Sequence, residues 1–229
     1  MENLLRIYIE RALREPEILK VPGSGPVVTI SREYGCPSKP IGQSLTETLN
    51  KIPREAHLSK WRFINKEVVE SAAQELNLQT NDLNYFMSGV GKGFLEDIMV
   101  SFTSGYVSNP RIRHTITNIV MAMAQHGYFV IAGRGSVGVL YRKPNTLHVR
   151  LQAPLEWRIP EICKLLQVNE KEAVKIAYDT DKKRMALIEL MSGHKYNPYL
   201  FDLIINCSTL GQQEIVETII GTMQAKKMI

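Results

Sequence analysis

Val27-Val28-Thr29-Ile30-Ser31-Arg32-Glu33-Tyr34-Gly35-Cys36-Pro37-Ser38-Lys39-Pro40-Ile41-Gly42 changes character twice. Val27–Ile30 is a short apolar, β-branched run, the pattern of a strand buried on both faces. Ser31–Lys39 is polar and holds Gly and Pro, so it reads as a loop. From about Pro40, Ile41, Leu45 and Leu49 recur at i, i+4 and i+8, which predicts a helix to Leu49. A strand, a loop and a helix in this order aim backbone N–H groups and a helix N-terminus at one point, where an anion can sit. The spacing of a phosphate-cradling loop is only partly met. Gly35 sits well, but Pro37 and Pro40 have no N–H to donate. Ser38 stands where that pattern has lysine, and Lys39 is one residue late. Two readings stay open here: a phosphate site, or an ordinary strand–helix connection with Ser38 as the helix N-cap.

Working outward, the same unit recurs. Tyr128–Ile131 is a second strand candidate, preceded by a helical pattern over about 111–125 and followed by Ala132-Gly133-Arg134-Gly135-Ser136. Thr146–Leu151 and Asp202–Asn206 are further strands, and a closing helix spans Gln212–Ala225. Buried strands alternating with helices predict an α/β fold with a parallel sheet covered on both faces. Two sections, about 55–110 and about 155–200, are helix-like and show no buried strand, so they read as excursions from one core over 26–229. Ser88-Gly89-Val90-Gly91-Lys92-Gly93 imitates a phosphate loop, but no strand precedes it and it reads as a flexible turn. Ahead of the core, residues 1–25 hold an amphipathic helix, with Leu4, Leu5, Tyr8, Ile9 and Ala12 on one face, and a Pro/Gly linker. Mixed charges on that helix favour docking on the core or joining a homodimer over lying on a membrane.

The 229 residues are 44% hydrophobic and 22% charged, which excludes wholesale disorder. The net charge of +5 suits an anionic partner. It does not mark a nucleic-acid reader, because the basic residues are dispersed, aromatics are only 7% and no reader motif is present. Cys36, Cys163 and Cys207 form neither a zinc spacing nor a disulfide framework, so a reducing compartment is expected. No apolar run is long enough to cross a bilayer and no leader-like start is visible, so the expectation is cytoplasmic. Cysteines are expected to be small buried hydrophobes. Cys36 stands apart, because a thiol beside a helix N-terminus can have a lowered pKa and a redox role. His148 alternates with apolar residues in a strand and is expected to be structural.

Several segments together resemble the cytidylate kinase-like family, relatives of the bacterial cytidylate kinases. They are Ile30-Ser31-Arg32-Glu33-Tyr34-Gly35 with Ile41-Gly42, Asn65-Lys66-Glu67-Val68-Val69, and Gly133-Arg134-Gly135-Ser136. Also similar are His148–Ile159, Asp181-Lys182-Lys183-Arg184 and Phe201–Ser208. The resemblance implies a P-loop kinase-like α/β fold: about five parallel strands flanked by helices, a nucleoside-monophosphate-binding insertion near 55–110 and a helical lid near 155–200. It implies ATP with Mg2+ as donor, and a pyrimidine monophosphate or other small phosphorylated acceptor. Gly35, Cys36, Ser38 and Lys39 would line the ATP phosphates, and Arg113, Arg134 and Asp181 would meet the acceptor. Lys39, Arg134, Arg158 and Arg184 would neutralise the phosphoryl group in transfer, a task suited to positioned cations. Departures from the family pattern are concentrated in the loop, where glycines have become Pro37 and Ser38. A lid arginine is replaced by Ala177, and the aspartates flanking the Gly-Arg element are Ala132 and Gly135. No residue is assigned to a metal. The competing reading is a catalytically degenerate protein that binds a nucleotide or phosphate and senses or bridges a partner.

Overall fold

The computed structural model describes residues 25–53, 59–65, 117 and 120–229. Arg113, the amphipathic N-terminal segment with its expected dimer contact, the Gly-Lys-Gly turn near 91–93 and most of the 55–110 section lie outside the described residues. Five strands form the sheet: β1 (Val27–Arg32), β2 (Arg62–Ile64), β3 (Phe129–Ala132), β4 (Thr146–Gln152) and β5 (Leu203–Asn206). Their order is β2-β3-β1-β4-β5, and every neighbouring pair is parallel. The α/β fold with a parallel five-stranded sheet is therefore as expected.

Central β1 is buried along Val27–Ser31, which is why it reads as an unbroken apolar run rather than an alternating one. On one face Val28 and Ile30 pack with Ile41, Leu45 and Leu49 of α1 (Ser38–Lys51) and with Ile215, Val216, Ile219 and Met223 of α5 (Gln212–Ala225). α2 (Ser136–Val139) follows β3, and its Val137 clusters with Ile188 of α4 (Glu170–Ser192). α3 (Leu155–Leu166) leaves β4 and packs its Ile159 and Ile162 against Ala173 and Ala177 of α4. The 155–200 excursion is thus helical, as its pattern predicted.

Two expectations need correction. β2 falls inside the section read as strandless. It has three residues, too few to display a period, and it begins with Arg62 at the edge of the sheet, paired only with β3. Ser38 is not an N-cap: α1 begins at Ser38, and Pro37 occupies the cap position with no side-chain hydrogen bond.

The topology locates a crevice. β1 and β4 are neighbours, yet the chain leaves β1 toward the β2 edge and leaves β4 toward β5. Ligands of open α/β sheets bind at such a reversal, outside the carboxyl ends of the strands. Arg32, Glu33 and Ala153 stand there.

Candidate anion site at the carboxyl edge of the sheet

Glu33 stands at this switch point, just past the end of β1. Its N–H donates to the Leu151 carbonyl at 3.0 Å, and its Oε2 accepts from the Ala153 N–H at 3.2 Å. Arg150 approaches the same carboxylate at 3.4 Å, while its guanidinium lies over the rings of Tyr196 and Phe201. The chain then turns sharply. Gly35 has φ +94°, and a Cβ there would stand 2.9 Å from Cβ of Arg158 and 3.3 Å from Ile162 Cγ1. Only a glycine lets this loop lie so close to α3.

The backbone donors of the loop are largely committed. Tyr34 N–H donates to Asp181 Oδ1 at 2.7 Å, Cys36 N–H to the Glu33 carbonyl at 3.2 Å and Ser38 N–H to the Cys36 carbonyl at 2.9 Å. Pro37 and Pro40 have no N–H at all. In this conformation the loop does not present the open nest of N–H groups that cradles a nucleotide's phosphates.

The positive charge comes from side chains instead. Arg184 of α4 donates from Nη1 to the Arg32 carbonyl at 3.1 Å and lies 5.2 Å over the Tyr34 ring. Arg32 reaches across to β3: a Cβ on Gly133 would be 2.5 Å from its Nη1, so Gly133 makes the room. Next to it, Gly133, Arg134 and Gly135 take left-handed φ values of +81°, +62° and +64° in succession. A left-handed arginine costs energy, and such strain gathers at ligand-binding turns. Burial pushes the Arg32 pKa down to about 9, with repulsion from Arg184 and then Arg134 adding to it. Burial lowers the Arg184 pKa too, against the opposing pull of Asp181. Three guanidiniums therefore share one edge closely enough to repel, an arrangement suited to a phosphate.

Arg158 has a different place. It is 7% exposed and is engaged by protein atoms: Nε donates to the Ala153 carbonyl at 3.0 Å, and Nη1 to the Tyr34 carbonyl at 2.9 Å and to Asp181 Oδ2 at 2.8 Å. It ties the end of β4, the loop and α4 together. Asp181 is correspondingly more than an i,i+3 partner of Arg184, from which it is 3.9 Å away. Lys39 is exposed on the first turn of α1. Of the residues expected from sequence, the structure brings Arg134, Arg158, Asp181, Arg184 and Gly35 to this edge.

Cys36 runs against expectation. Its thiol is not acidified by the helix terminus; a hydrogen bond to Cys207, together with burial, pushes its pKa up. The redox reading of Cys36 is withdrawn. It is a buried core residue, as is Cys207.

Arg32, Glu33, Tyr34 and Arg150 were not singled out as site residues from sequence. Position at the end of a buried strand was the available signal for Arg32. For magnesium the fit is poor. Among the described residues no group of three His, Cys, Asp or Glu could hold a metal ion, and both carboxylates at the edge are already held by arginines and backbone N–H groups.

A five-stranded parallel sheet with arginines gathered at its switch point defines an α/β protein with a candidate anion site there. A model of the cytidylate kinase-like family matches residues 27–209, and the chain belongs to that family. An uncharacterized protein from Eubacterium ventriosum, known from a crystal structure, is 18% identical; the match covers 87% of this chain and 98% of that one, with a TM-score of 0.62, a likeness of fold. The protein TT1252 from Thermus thermophilus is 15% identical at a TM-score of 0.39, covering 89% of this chain and 98% of that one. A protein named uronate isomerase from Corynebacterium glutamicum is 24% identical over 153 residues, 65% of this chain. The chain spans only 29% of that relative's length. Among the described residues no helix is long and apolar enough to cross a membrane.

Proposed function

We propose that the protein is a phosphotransferase of the nucleoside monophosphate kinase type, moving the γ-phosphoryl group of ATP to the phosphate of a small acceptor such as CMP, dCMP or UMP. In that reaction an acceptor phosphate oxygen forms the new bond to phosphorus, the bond to the β-phosphate oxygen breaks, and ADP leaves. One observation carries the reading: Arg32, Arg134 and Arg184 converge at the switch point, where burial, with repulsion from Arg184 and then Arg134 added, lowers the Arg32 pKa to about 9. Phosphoryl transfer needs little covalent chemistry from protein, so charge placed in a desolvated edge is the main contribution required. Arg134 and Arg184 would follow the phosphoryl group, Arg32 would anchor it, and Arg158 would hold the loop and lid in register. Lys39, exposed near the start of α1, would reach the distal phosphates of ATP; Gly35, Cys36 and Ser38 would form the floor beneath them.

A second reading has its own observation. The loop N–H groups are directed to protein acceptors and two prolines supply none, as expected of a chain that binds a phosphorylated ligand without turning it over. ADP release, followed by a coupled assay with ATP, magnesium and the three pyrimidine monophosphates, separates the two. The kinase reading predicts saturable ADP formation that Arg134→Ala reduces by about 100-fold or more, the loss typical when one electrostatic stabiliser is removed. Thermal stabilisation by nucleotides with no turnover would favour the second reading, and retained activity in Arg134→Ala would remove that residue from the transfer step.

A further inference from the structure

We infer that Asp181 is a built-in anion that holds the site shut: its carboxylate takes the place of a ligand phosphate on the Tyr34 N–H and the Arg158 guanidinium, and an incoming phosphate must displace it. The inference rests on the reading of this edge as a phosphate site.

The geometry is that of a clasp. One oxygen, Oδ1, accepts from the Tyr34 N–H at 2.7 Å; the other, Oδ2, accepts from Arg158 Nη1 at 2.8 Å. A carboxylate held by a loop N–H and a guanidinium is held by the same groups that hold phosphate elsewhere. Asp181 comes from α4, while Tyr34 comes from the loop after β1, so the pair joins the lid helix to the loop. Arg184, one helical turn on, reinforces the closure by donating to the Arg32 carbonyl and covering the Tyr34 ring. On the other side Gly35 lies against Arg158 and Ile162 of α3. Closing the clasp thus occupies a loop donor and fixes Arg184 beside Arg32 without any ligand.

An alternative role makes the opposite prediction. If Asp181 only positions Arg158 and Arg184 for the phosphate, its removal weakens anion binding. If it stands in for the phosphate, its removal frees the Tyr34 N–H and takes from Arg158 one of its two carboxylate partners, the other being Glu33 at 3.6 Å, and binding tightens. The experiment is calorimetric titration of inorganic phosphate and pyrophosphate into the full chain, the wild type beside Asp181→Ala and Asp181→Asn. The clasp predicts affinity for pyrophosphate higher by about tenfold in Asp181→Ala, equivalent to about 1.4 kcal/mol. It predicts a smaller gain in Asp181→Asn, whose amide oxygen can still accept from the Tyr34 N–H while the Asp181 charge is gone from Arg158, which keeps Glu33 at 3.6 Å. Asp181→Asn decides the matter alone should the alanine variant fail to fold. Equal or weaker binding in the folded variants overturns the clasp. The assay for ADP release separates the two claims. Tighter binding without turnover upholds the clasp and defeats the kinase reading. Turnover with unchanged or weaker binding in the variants does the reverse. Absence of binding in all three proteins defeats both.

Discussion

Arg32 carries its charge in the least favourable place on this edge, at the end of a buried strand and facing two further arginines. Its folded-state pKa, about 9, lies well below the ordinary value of a guanidinium. The folded chain therefore binds that proton less tightly than the unfolded chain. The resulting cost is present in full below pH 9 and fades only as pH rises from there toward the ordinary guanidinium range. At neutral pH the ligand-free protein bears all of it. Arg32→Gln is accordingly expected to stabilise the ligand-free chain by about 1 kcal/mol, raising Tm by about 2–4 °C, and to abolish the rise in Tm that pyrophosphate gives the wild type. Scanning calorimetry with and without pyrophosphate checks both halves; a variant that is less stable and still responds would contradict the assignment. Of the arginines here, the family resemblance singles out Arg134, Arg158 and Arg184 as expected phosphate contacts, and the structure brings all three to this edge. Arg32 lies in the Ile30–Gly35 segment of that resemblance, but its place depends on Gly133 and Arg184, which lie far away in sequence and are brought near only by folding.

At the scale of elements, the β1–β4 pair carries both the crevice and an internal polar contact beneath it. Thr29 and His148 are register partners, and Thr29 Oγ1 lies 2.7 Å from His148 Nδ1. Burial lowers the His148 pKa, opposed by the nearby Asp202 and by a hydrogen bond to the Leu140 backbone. Burial thus favours the neutral ring, whose Nδ1 shares a hydrogen bond with the Thr29 hydroxyl. Below its ordinary pKa of about 6.5 the unfolded chain takes up a proton that the folded chain resists, so stability falls as pH drops from 6.5. The denaturation midpoint of the wild type is expected to decline between pH 7.5 and pH 5.5 more steeply than that of His148→Gln. Parallel slopes would show that other groups set the acid sensitivity. The long elements were readable in advance because each had a period or an apolar run. α5 has the bounds expected of it, and β1 extends two residues past its apolar core to Arg32. β2 was not readable, because a three-residue edge strand is fixed by its pairing with β3 and by Trp61 packing beside it rather than by its own pattern. The start of α1 was misplaced by two residues, since Pro37 and Pro40 are compatible with the first turn of a helix as well as with a loop.

For the molecule as a whole, family membership and the sheet order agree on an α/β protein, and the candidate ligand edge is the one where β1 and β4 diverge. The distribution of charge at that edge was hidden from the sequence. A net charge of +5 spread over 229 residues gives no hint that Arg32, Arg134 and Arg184 meet, nor that Glu33 and Asp181 are both engaged beside them. Chain topology makes the cluster, by bringing α4 back over the loop that left β1. The most direct test is the position of pyrophosphate in a crystal of the full chain grown in its presence. Pyrophosphate is predicted to lie against the Arg32, Arg134 and Arg184 guanidiniums at the carboxyl ends of β1 and β3. Pyrophosphate bound elsewhere, with that edge untouched, would contradict the central claim.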